Sequence, residues 1–227
     1  MNKGLLVMRR DIRALCLLAL RGLTVLFLLG WILPPSVAQA VSPARDGRIP
    51  TMPAVQQWYS LSCEYAAAAA VTLYWGKVVS QRDFLREVPD NPNPHLGFRG
   101  HINGPIGGLI DYGVYAEALV PVLERHGYDA TVFYGDLDRL KAYVRNGKPV
   151  VVWITSHNDV RRPVQATVNG QSFTLVAGEH TVVVYGFNDY GVRLMDVGDG
   201  NYYITAWTSF LRRWSYLDQM ALVITPQ

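Results

Sequence analysis

The hydrophobic pattern divides the chain into an early half of helices and a later half of short strands. The strongest helix signal runs from Cys63 to Trp75, where five consecutive alanines favour a closely packed helix and Gly76 is a natural terminator. Ser60 or Ser62 is predicted to cap this helix, which places Cys63 in its first turn. Further helices are predicted at residues 80–88, 115–126 and 136–146, with a last one that Thr205 caps and that ends near Trp214.

Prolines and glycines mark the breaks between these helices. Ser80 and Asp83 form a capping-box pattern that opens the second helix, and Pro121 should kink the third or divide it in two. Residues 89–105 hold four prolines and three glycines, which predicts a long loop. Because loops of this length inside a compact domain are usually functional, we expect residues 89–108 to form a cleft wall or lid.

The later half of the chain predicts β-structure. Pro149 to Thr155 is a nearly continuous apolar run, typical of a central strand. Asn169-Gly170 is a type I′ turn signature between two strands of a hairpin at residues 163–176. Other strands are predicted at residues 128–134, 180–187, 192–196 and 220–225. Helices followed by a mostly antiparallel sheet predict an α+β domain with two lobes.

Residues 1–40 have the layout of an export signal. Lys3, Arg9, Arg10 and Arg13 form a basic region, an uninterrupted apolar run follows from Gly22 to Leu33, and Ala38-Gln39-Ala40 is typical of a cleavage site. A retained membrane anchor is the alternative, because residues 14–33 hold no charge except Arg21. Both interpretations predict an exported protein, periplasmic or extracellular, with a linker at 41–52 and one domain at 53–227.

The charge distribution argues against several kinds of partner. Residues 1–40 carry five basic side chains and one acid, so the remainder holds 16 basic and 17 acidic groups, a net charge of −1. No basic stripe remains to bind nucleic acid, and we expect membrane contact only through residues 1–40, if they are not cleaved. The sequence has no C-x-x-C or H-x-x-x-H spacing, and neither a metal nor a cofactor is predicted.

Cys63 is the candidate nucleophile, since the second cysteine, Cys16, falls in the predicted signal. A helix N-terminus favours the thiolate, which is the reactive form of cysteine, although a buried structural cysteine is the alternative. A nucleophile of this kind needs a histidine partner, and His180 is best placed, at the start of an apolar strand. The remaining histidines fit loop or helix-capping roles: His95, His101, His126 and His157.

Three more residues complete the candidate chemistry. Asp196 ends the strand after His180, so an antiparallel ladder would bring its carboxylate to the imidazole, although a plain turn role is the alternative. Gln57 is a candidate oxyanion donor, with Gln56 as its rival one residue away. Glu64 would oppose thiolate formation if it faced the cleft, and would favour the helix dipole if it pointed to solvent.

These residues resemble the peptidase C39-like group of papain-like cysteine proteases. Similar features are the order Gln57, Cys63, His180, Asp196, with separations of six residues for the first pair and sixteen for the last, and the run GEHTVVVYGF around the histidine. The resemblance covers residues 53–225 and implies a papain-like fold, with an N-terminal helical lobe that carries the nucleophile and a C-terminal antiparallel sheet.

The resemblance also implies a function and a set of roles. Cys63 would attack a peptide bond and form a thioester, His180 would act as general base and acid, Asp196 would orient it, and Gln57 would bind the oxyanion. It implies a stand-alone exported peptidase, with an acyltransferase or amidase, or a catalytically weak peptide-binding module, as the alternatives. The chain departs from the family at Glu64, where a glycine is usual, and at Val197, where a proline is common.

Overall fold

The computed structural model describes residues 46–156 and 162–227. The predicted signal at residues 1–40 and the candidate His157 lie outside the described residues. Within the described ranges, no helix is long and apolar enough to cross a membrane.

Five α-helices lie in the described residues, and each corresponds to a predicted helix, although the last begins later than predicted. They are α1 (Cys63–Tyr74), α2 (Gln81–Glu87), α3 (Ala116–Arg125), α4 (Leu137–Arg145) and α5 (Trp207–Ser215). The capping box of Ser80 and Asp83 is present at the start of α2. Pro121 lies inside α3 without dividing it, because a proline removes only one backbone donor from a helix that is otherwise complete.

The strands build one large antiparallel sheet and a separate hairpin. The described strands are β1 (Gly47–Arg48), β2 (Tyr128–Phe133), β3 (Val150–Thr155), β4 (Val164–Val168), β5 (Gln171–Leu175), β6 (Glu179–Phe187), β7 (Gly191–Asp196), β8 (Tyr202–Ala206) and β9 (Ala221–Pro226). The large sheet has the order β2-β9-β3-β6-β7-β8, with β1 paired to β6. In the β4–β5 hairpin, Asn169 and Gly170 have φ values of 49° and 78°, as the predicted type I′ turn requires.

Helices cover both faces of the large sheet. Val151 and Trp153 of β3 pack into the cluster that contains α1, α2 and α3, whereas Val150 and Val152 face α4 and α5 on the other side. The five alanines of α1, residues 66–70, are at most 3% exposed, and their small side chains let the helix lie close to β6. The predicted α+β class, with early helices and a later antiparallel sheet, is confirmed.

The prediction that Thr205 caps the last helix is wrong. Thr205 belongs to β8, an unpredicted strand whose residues pair with β7 from Gly191 to Met195. The helix α5 begins two residues later, at Trp207, and Ala206 precedes it without a capping side chain. The ladder to β7 satisfies the backbone of this segment, so it outweighs the local preference of a threonine for a helix start.

The folded domain also begins earlier than the predicted boundary at residue 53. Gly47 and Arg48 pair with Phe187 and Gly186 of β6. Ile49 and Met52 are only 1% and 5% exposed, so the end of the predicted linker contributes to the core. Residues 47–52 therefore belong to the folded domain.

Candidate active site

Cys63 is the first residue of α1, and Ser62 holds the position before the helix. The position of the predicted cap is therefore right, but the Ser62 side chain makes no capping hydrogen bond to the helix. Its hydroxyl oxygen instead accepts a hydrogen bond from the Tyr59 N–H at 3.1 Å. This contact tightens the turn that leads into the helix and fixes the approach of the chain to Cys63.

Gln81, a buried residue at the start of α2, stabilises the same turn through hydrogen bonds to its backbone. Its Oε1 accepts from the Trp58 N–H at 3.0 Å, and its Nε2 donates to the Gln56 carbonyl at 2.9 Å. The side chain is 3% exposed. Sequence reasoning missed Gln81, because its role depends on contacts across about 25 residues that no local pattern announces.

The structure brings His180 and Asp196 together, as the strand register predicts. Val182 of β6 lies opposite Asp196 of β7, and the His180 Nε2 is 2.7 Å from the Asp196 Oδ1. The same oxygen accepts the Gly198 N–H at 2.8 Å. Burial alone would raise the pKa of Asp196, but the hydrogen bond and the charge of His180, helped by Gly198, hold that pKa below its usual value.

The sulfur of Cys63 lies beside the start of β6, where His180 is located. Cys63 is 6% exposed, and its Sγ is within 4.8 Å of a carboxylate oxygen of Glu179, the residue before His180. The backbone N–H of Thr181, the residue after His180, also stabilises the thiolate. The nucleophile candidate therefore lies beside the start of β6, the strand that carries the histidine candidate.

Glu64 points into the protein. It is 0% exposed, its Oε1 accepts the Val114 N–H at 2.7 Å, and its Oε2 accepts the Cys63 thiol at 3.4 Å. The alternative in which Glu64 points to solvent is wrong. Burial raises the pKa of Glu64 to about 7, and the backbone hydrogen bond from Val114 acts in the opposite direction.

These neighbours reverse the expected ionisation of Cys63. Burial raises the pKa of the Cys63 thiol well above its usual value, and the carboxylates of Glu64 and Glu179 raise it further. The sequence predicted a lowered pKa from the position at the helix N-terminus. That prediction is wrong for this structure, because the loss of solvent and the negative charge of the neighbouring carboxyl groups outweigh about half a positive charge from the helix dipole.

Gln57 lies in the turn before Cys63, and its side-chain amide donates hydrogen bonds within that turn. Its Nε2 donates to the carbonyls of Tyr59 and Ser60 at 2.8 and 2.9 Å. The rival Gln56 donates its Nε2 to the Gly198 carbonyl at 3.2 Å. Both side chains stabilise the loops around the site, and the role of Gln57 as an oxyanion donor stays a prediction.

The other described histidines are engaged away from Cys63. His95 Nδ1 contacts Glu117 at 2.8 Å, and His126 Nε2 contacts Glu87 at 2.9 Å. His126 also occupies the position after the last turn of α3, as its predicted capping role requires. His101 is exposed on the long loop.

Part of the proline- and glycine-rich loop lies directly against the turn before Cys63. The Leu61 N–H donates to the Ile102 carbonyl at 3.0 Å, and the Ser60 hydroxyl donates to the Gly104 carbonyl at 2.9 Å. These bonds place the loop beside the site, at the position a cleft wall would take.

One group of side chains in the described residues has the spacing of a metal site. The Sγ of Cys63 and one oxygen each of Glu64 and Glu179 lie within 4.8 Å of one another. Glu64 commits its Oε1 to the Val114 N–H, and the raised pKa values of both carboxyl groups favour their protonated, non-ligating forms. We therefore interpret this group as a proton-sharing cluster.

The fold and the site together define the class of protein. A cysteine opens a central helix that packs against an antiparallel sheet, as in papain-like cysteine peptidases, and the sheet carries a histidine paired with an aspartate. The chain belongs to the Peptidase_C39 like family, whose model matches residues 49–222.

Solved structures share this fold at low sequence identity. A protein from Bacillus anthracis described as a C39-like peptidase is 20% identical, with a TM-score of 0.70, and the match covers 80% of this chain and 98% of that one. The peptidase domain of Streptococcus ComA, a bifunctional ABC transporter, is 16% identical, with a TM-score of 0.51 and coverage of 78% and 100%.

A third similar structure is a double-glycine-motif protease from an AMS/PCAT transporter, which was solved in complex with its leader peptide. It is 17% identical, with a TM-score of 0.50, and the match covers 80% of this chain and 95% of that one. No curated protein matches the sequence.

Proposed function

We propose that this protein is an exported cysteine peptidase that cleaves peptide bonds through a thioester on Cys63. The observation that carries the proposal is the 2.7 Å contact between His180 of β6 and Asp196 of β7, since β6 begins beside the Cys63 sulfur. Family membership supports the same chemistry.

The tautomer of His180 follows from its partner. Because an ionised carboxylate only accepts hydrogen bonds, the Nε2 that faces Asp196 carries the proton in the neutral imidazole. Nδ1 is then the acceptor for the proton of Cys63. The Asp196 carboxylate also stabilises the imidazolium that forms.

The reaction then proceeds by acyl transfer. As the Cys63 sulfur attacks the scissile carbonyl, its proton passes to Nδ1 of His180 and a tetrahedral intermediate forms. Collapse breaks the C–N bond, and the imidazolium returns its proton to the leaving amine. Water, deprotonated by His180, then attacks the thioester and releases the carboxylic acid and the free thiol.

A peptide or protein is the proposed substrate. The double-glycine-motif protease with a similar fold was solved in complex with its leader peptide, which supports a peptide substrate here. The signal-like layout of residues 1–40 supports export as a further part of the proposal. An acyltransferase or amidase would use the same side chains with a different acceptor.

A second candidate function is a peptide-binding module of the same fold with weak catalysis. The raised pKa of Cys63 favours it, since a protonated thiol is a poor nucleophile. The two candidate functions differ in their dependence on Cys63: peptide cleavage requires its thiol, whereas peptide binding does not.

A peptide-library digest read by mass spectrometry tests the proposal. The wild-type protein should cleave a subset of peptides, and Cys63→Ala should abolish cleavage while leaving binding of those peptides unchanged. Binding without cleavage by the wild type would establish the binding module instead. Transfer of the acyl group to an added amine, with no hydrolysis, would establish the acyltransferase.

A further inference from the structure

Two carboxyl groups next to Cys63, one fully buried and one partly buried, have no part in the mechanism above. Glu64 follows the nucleophile and is 0% exposed, and Glu179 precedes His180. Their carboxylate oxygens and the Cys63 sulfur lie within 4.8 Å of one another. Placing ionisable groups this close together away from water raises the free energy of the folded state unless their charge is reduced. The cluster is therefore expected to have a chemical role.

Glu64 occupies a niche that is built for it. Gly113, in the chain segment that faces α1, has a φ of 130°, and a Cβ at this position would lie 2.1 Å from the Glu64 Oε1. The next residue, Val114, donates its N–H to the same oxygen at 2.7 Å. The second oxygen, Oε2, accepts the Cys63 thiol, so both oxygens of the carboxyl group have fixed partners.

Glu179 faces this niche from β6. Its Oε1 accepts the hydroxyl of Thr181 at 3.2 Å. Burial raises the pKa of Glu179, and the charge of Glu64 raises it further. Within the described part of the chain, no lysine or arginine offsets the charge of either carboxyl group.

Two carboxyl groups in such a site share one proton, because the second negative charge would be close to the first in a medium of low dielectric. The other titratable groups that interact with the pair are Cys63 and three tyrosines: Tyr65, Tyr112 and Tyr115. Burial raises the pKa of each of these tyrosines, so they stay neutral across the range in which the pair titrates.

We propose that Glu64 and Glu179 are positioning residues for the nucleophile: as a proton-sharing pair, they hold the S–H of Cys63 on the Glu64 carboxylate and set the pH at which the sulfur ionises. The inference rests on the proposed function in taking Cys63 as the nucleophile. The pair keeps the resting enzyme in the thiol form, and the thiolate forms only when His180 takes the proton during attack.

This arrangement suits an exported enzyme with one cysteine in its domain. The thiolate is the form that oxidants and stray electrophiles attack, so a thiol held protonated between turnovers is protected. Activation through His180 in the substrate complex then restricts the reactive form to productive encounters.

The test follows the rate of iodoacetamide alkylation at Cys63 against pH in the full chain, resolved by peptide mass spectrometry. In the wild type, alkylation at pH 7 should be slower than that of a free thiol. Glu64→Gln and Glu179→Gln should each move the profile to lower pH and raise the rate at pH 7 by about tenfold or more, as a shift of one pKa unit implies. Glu117→Gln, a carboxyl change beside His95, is the matched control and should leave the profile unchanged.

A second measurement keeps the inference testable if a variant does not fold. The folded-state pKa of Glu64 lies near 7, above its ordinary value of 4.5. Folding therefore favours the protonated form, and the stability this contributes is present at low pH and is lost as pH rises from about 4.5 through 7. The unfolding midpoint of the wild type should fall across this range, and less so in any Gln variant that folds.

Distinct results overturn the inference and the proposed function. A wild-type Cys63 that alkylates faster than a free thiol at pH 7, or folded Gln variants whose profiles stay in place or move to higher pH, would refute the role of the pair. A wild-type profile that EDTA shifts would also refute it, since the cluster would then bind a metal. Failure to cleave any peptide, with the alkylation results as expected, would refute the peptidase and leave the pair intact.

Discussion

At the scale of single residues, Asp196 determines which nitrogen of His180 is available to Cys63. Its Oδ1 holds the imidazole Nε2 at 2.7 Å, and the Gly198 N–H holds the same oxygen from the other side. Gly198 is small enough for this: a Cβ there would come within 3.2 Å of that oxygen. The loop after β7 thus orients the Asp196 carboxylate, and the carboxylate orients the His180 imidazole.

Asp196→Asn should lower kcat for peptide cleavage by roughly 10²- to 10⁴-fold, the range that a positioned acid–base group contributes. An asparagine amide can donate to Nε2 and stabilise the opposite tautomer, which would leave Nδ1 protonated and unable to accept the Cys63 proton. Steady-state kinetics on a peptide found in the library digest would measure the change.

Asp199→Asn is the matched control, because this carboxylate lies in the same loop and accepts the Asn201 N–H at 2.9 Å. An asparagine oxygen can replace it there, so activity should stay within about threefold of the wild type. Equal losses in both variants would contradict the role given to Asp196.

The pairing of His180 with Asp196 can be predicted from the sequence, because strand register is a local consequence of hydrophobic pattern and turn chemistry. The roles of Glu179 and Gln81 cannot be predicted in this way. The sequence also does not decide whether the Glu64 side chain faces the cleft or the solvent. The environments of these three residues depend on segments about 20 to 120 residues away in sequence, such as the Gly113–Val114 backbone that receives Glu64. Solvent exclusion at Cys63 has the same origin, so the direction of its pKa shift required the structure.

At the scale of elements, the alanines of α1 set the distance between the nucleophile helix and the sheet. Ala66, Ala67, Ala68 and Ala70 are 0% exposed. Close packing on several sides explains why small residues occupy positions where larger apolar side chains would otherwise give more buried area. The helix that carries Cys63 is therefore held in a site with no room to shift.

Ala68→Leu should destabilise the protein by about 1–3 kcal/mol, since extra methylene groups in a filled core force neighbouring side chains off their preferred rotamers. Urea denaturation measures the effect. Ala142→Leu makes the same change at an exposed position of α4 and should alter the unfolding free energy by no more than about 0.5 kcal/mol. Similar losses at both positions would indicate that helix propensity, rather than packing, is the cause.

Elements with strong local signals were predictable, and those defined by pairing were not. The alanine run, the Ser80 capping box and the Asn169-Gly170 turn each specify their element within a few residues. The Tyr202-Tyr203-Ile204 run of β8 favours a strand, but the helix-cap preference of Thr205 competes with it, and the ladder to β7 decides the outcome. The two-residue strand β1 exists for the same reason.

At the scale of the whole molecule, the predicted cleavage site and the start of the fold are close together in sequence. The A-x-A pattern ends at Ala40, and β1 begins at Gly47. Cleavage at that site would leave six residues before the first strand, so the mature chain would keep Ile49 and Met52, which are part of the core.

The signal layout of residues 1–40 predicts that the protein is exported, and the spacing predicts that the processed chain is still able to fold. Expressed in a bacterial host, the chain should reach the exported fraction and begin at Val41, as determined by N-terminal sequencing and intact mass. Replacing Ala38 and Ala40 with phenylalanine should block processing, because signal peptidase requires small residues there, and should leave an exported but membrane-attached chain.

If the wild type is exported at full length and stays with the membrane, residues 1–40 are an anchor, because residues 14–33 are then long enough to span the bilayer. Recovery of the full-length chain from the cytoplasm would contradict export, and with it the oxidising environment in which a protonated Cys63 is an advantage.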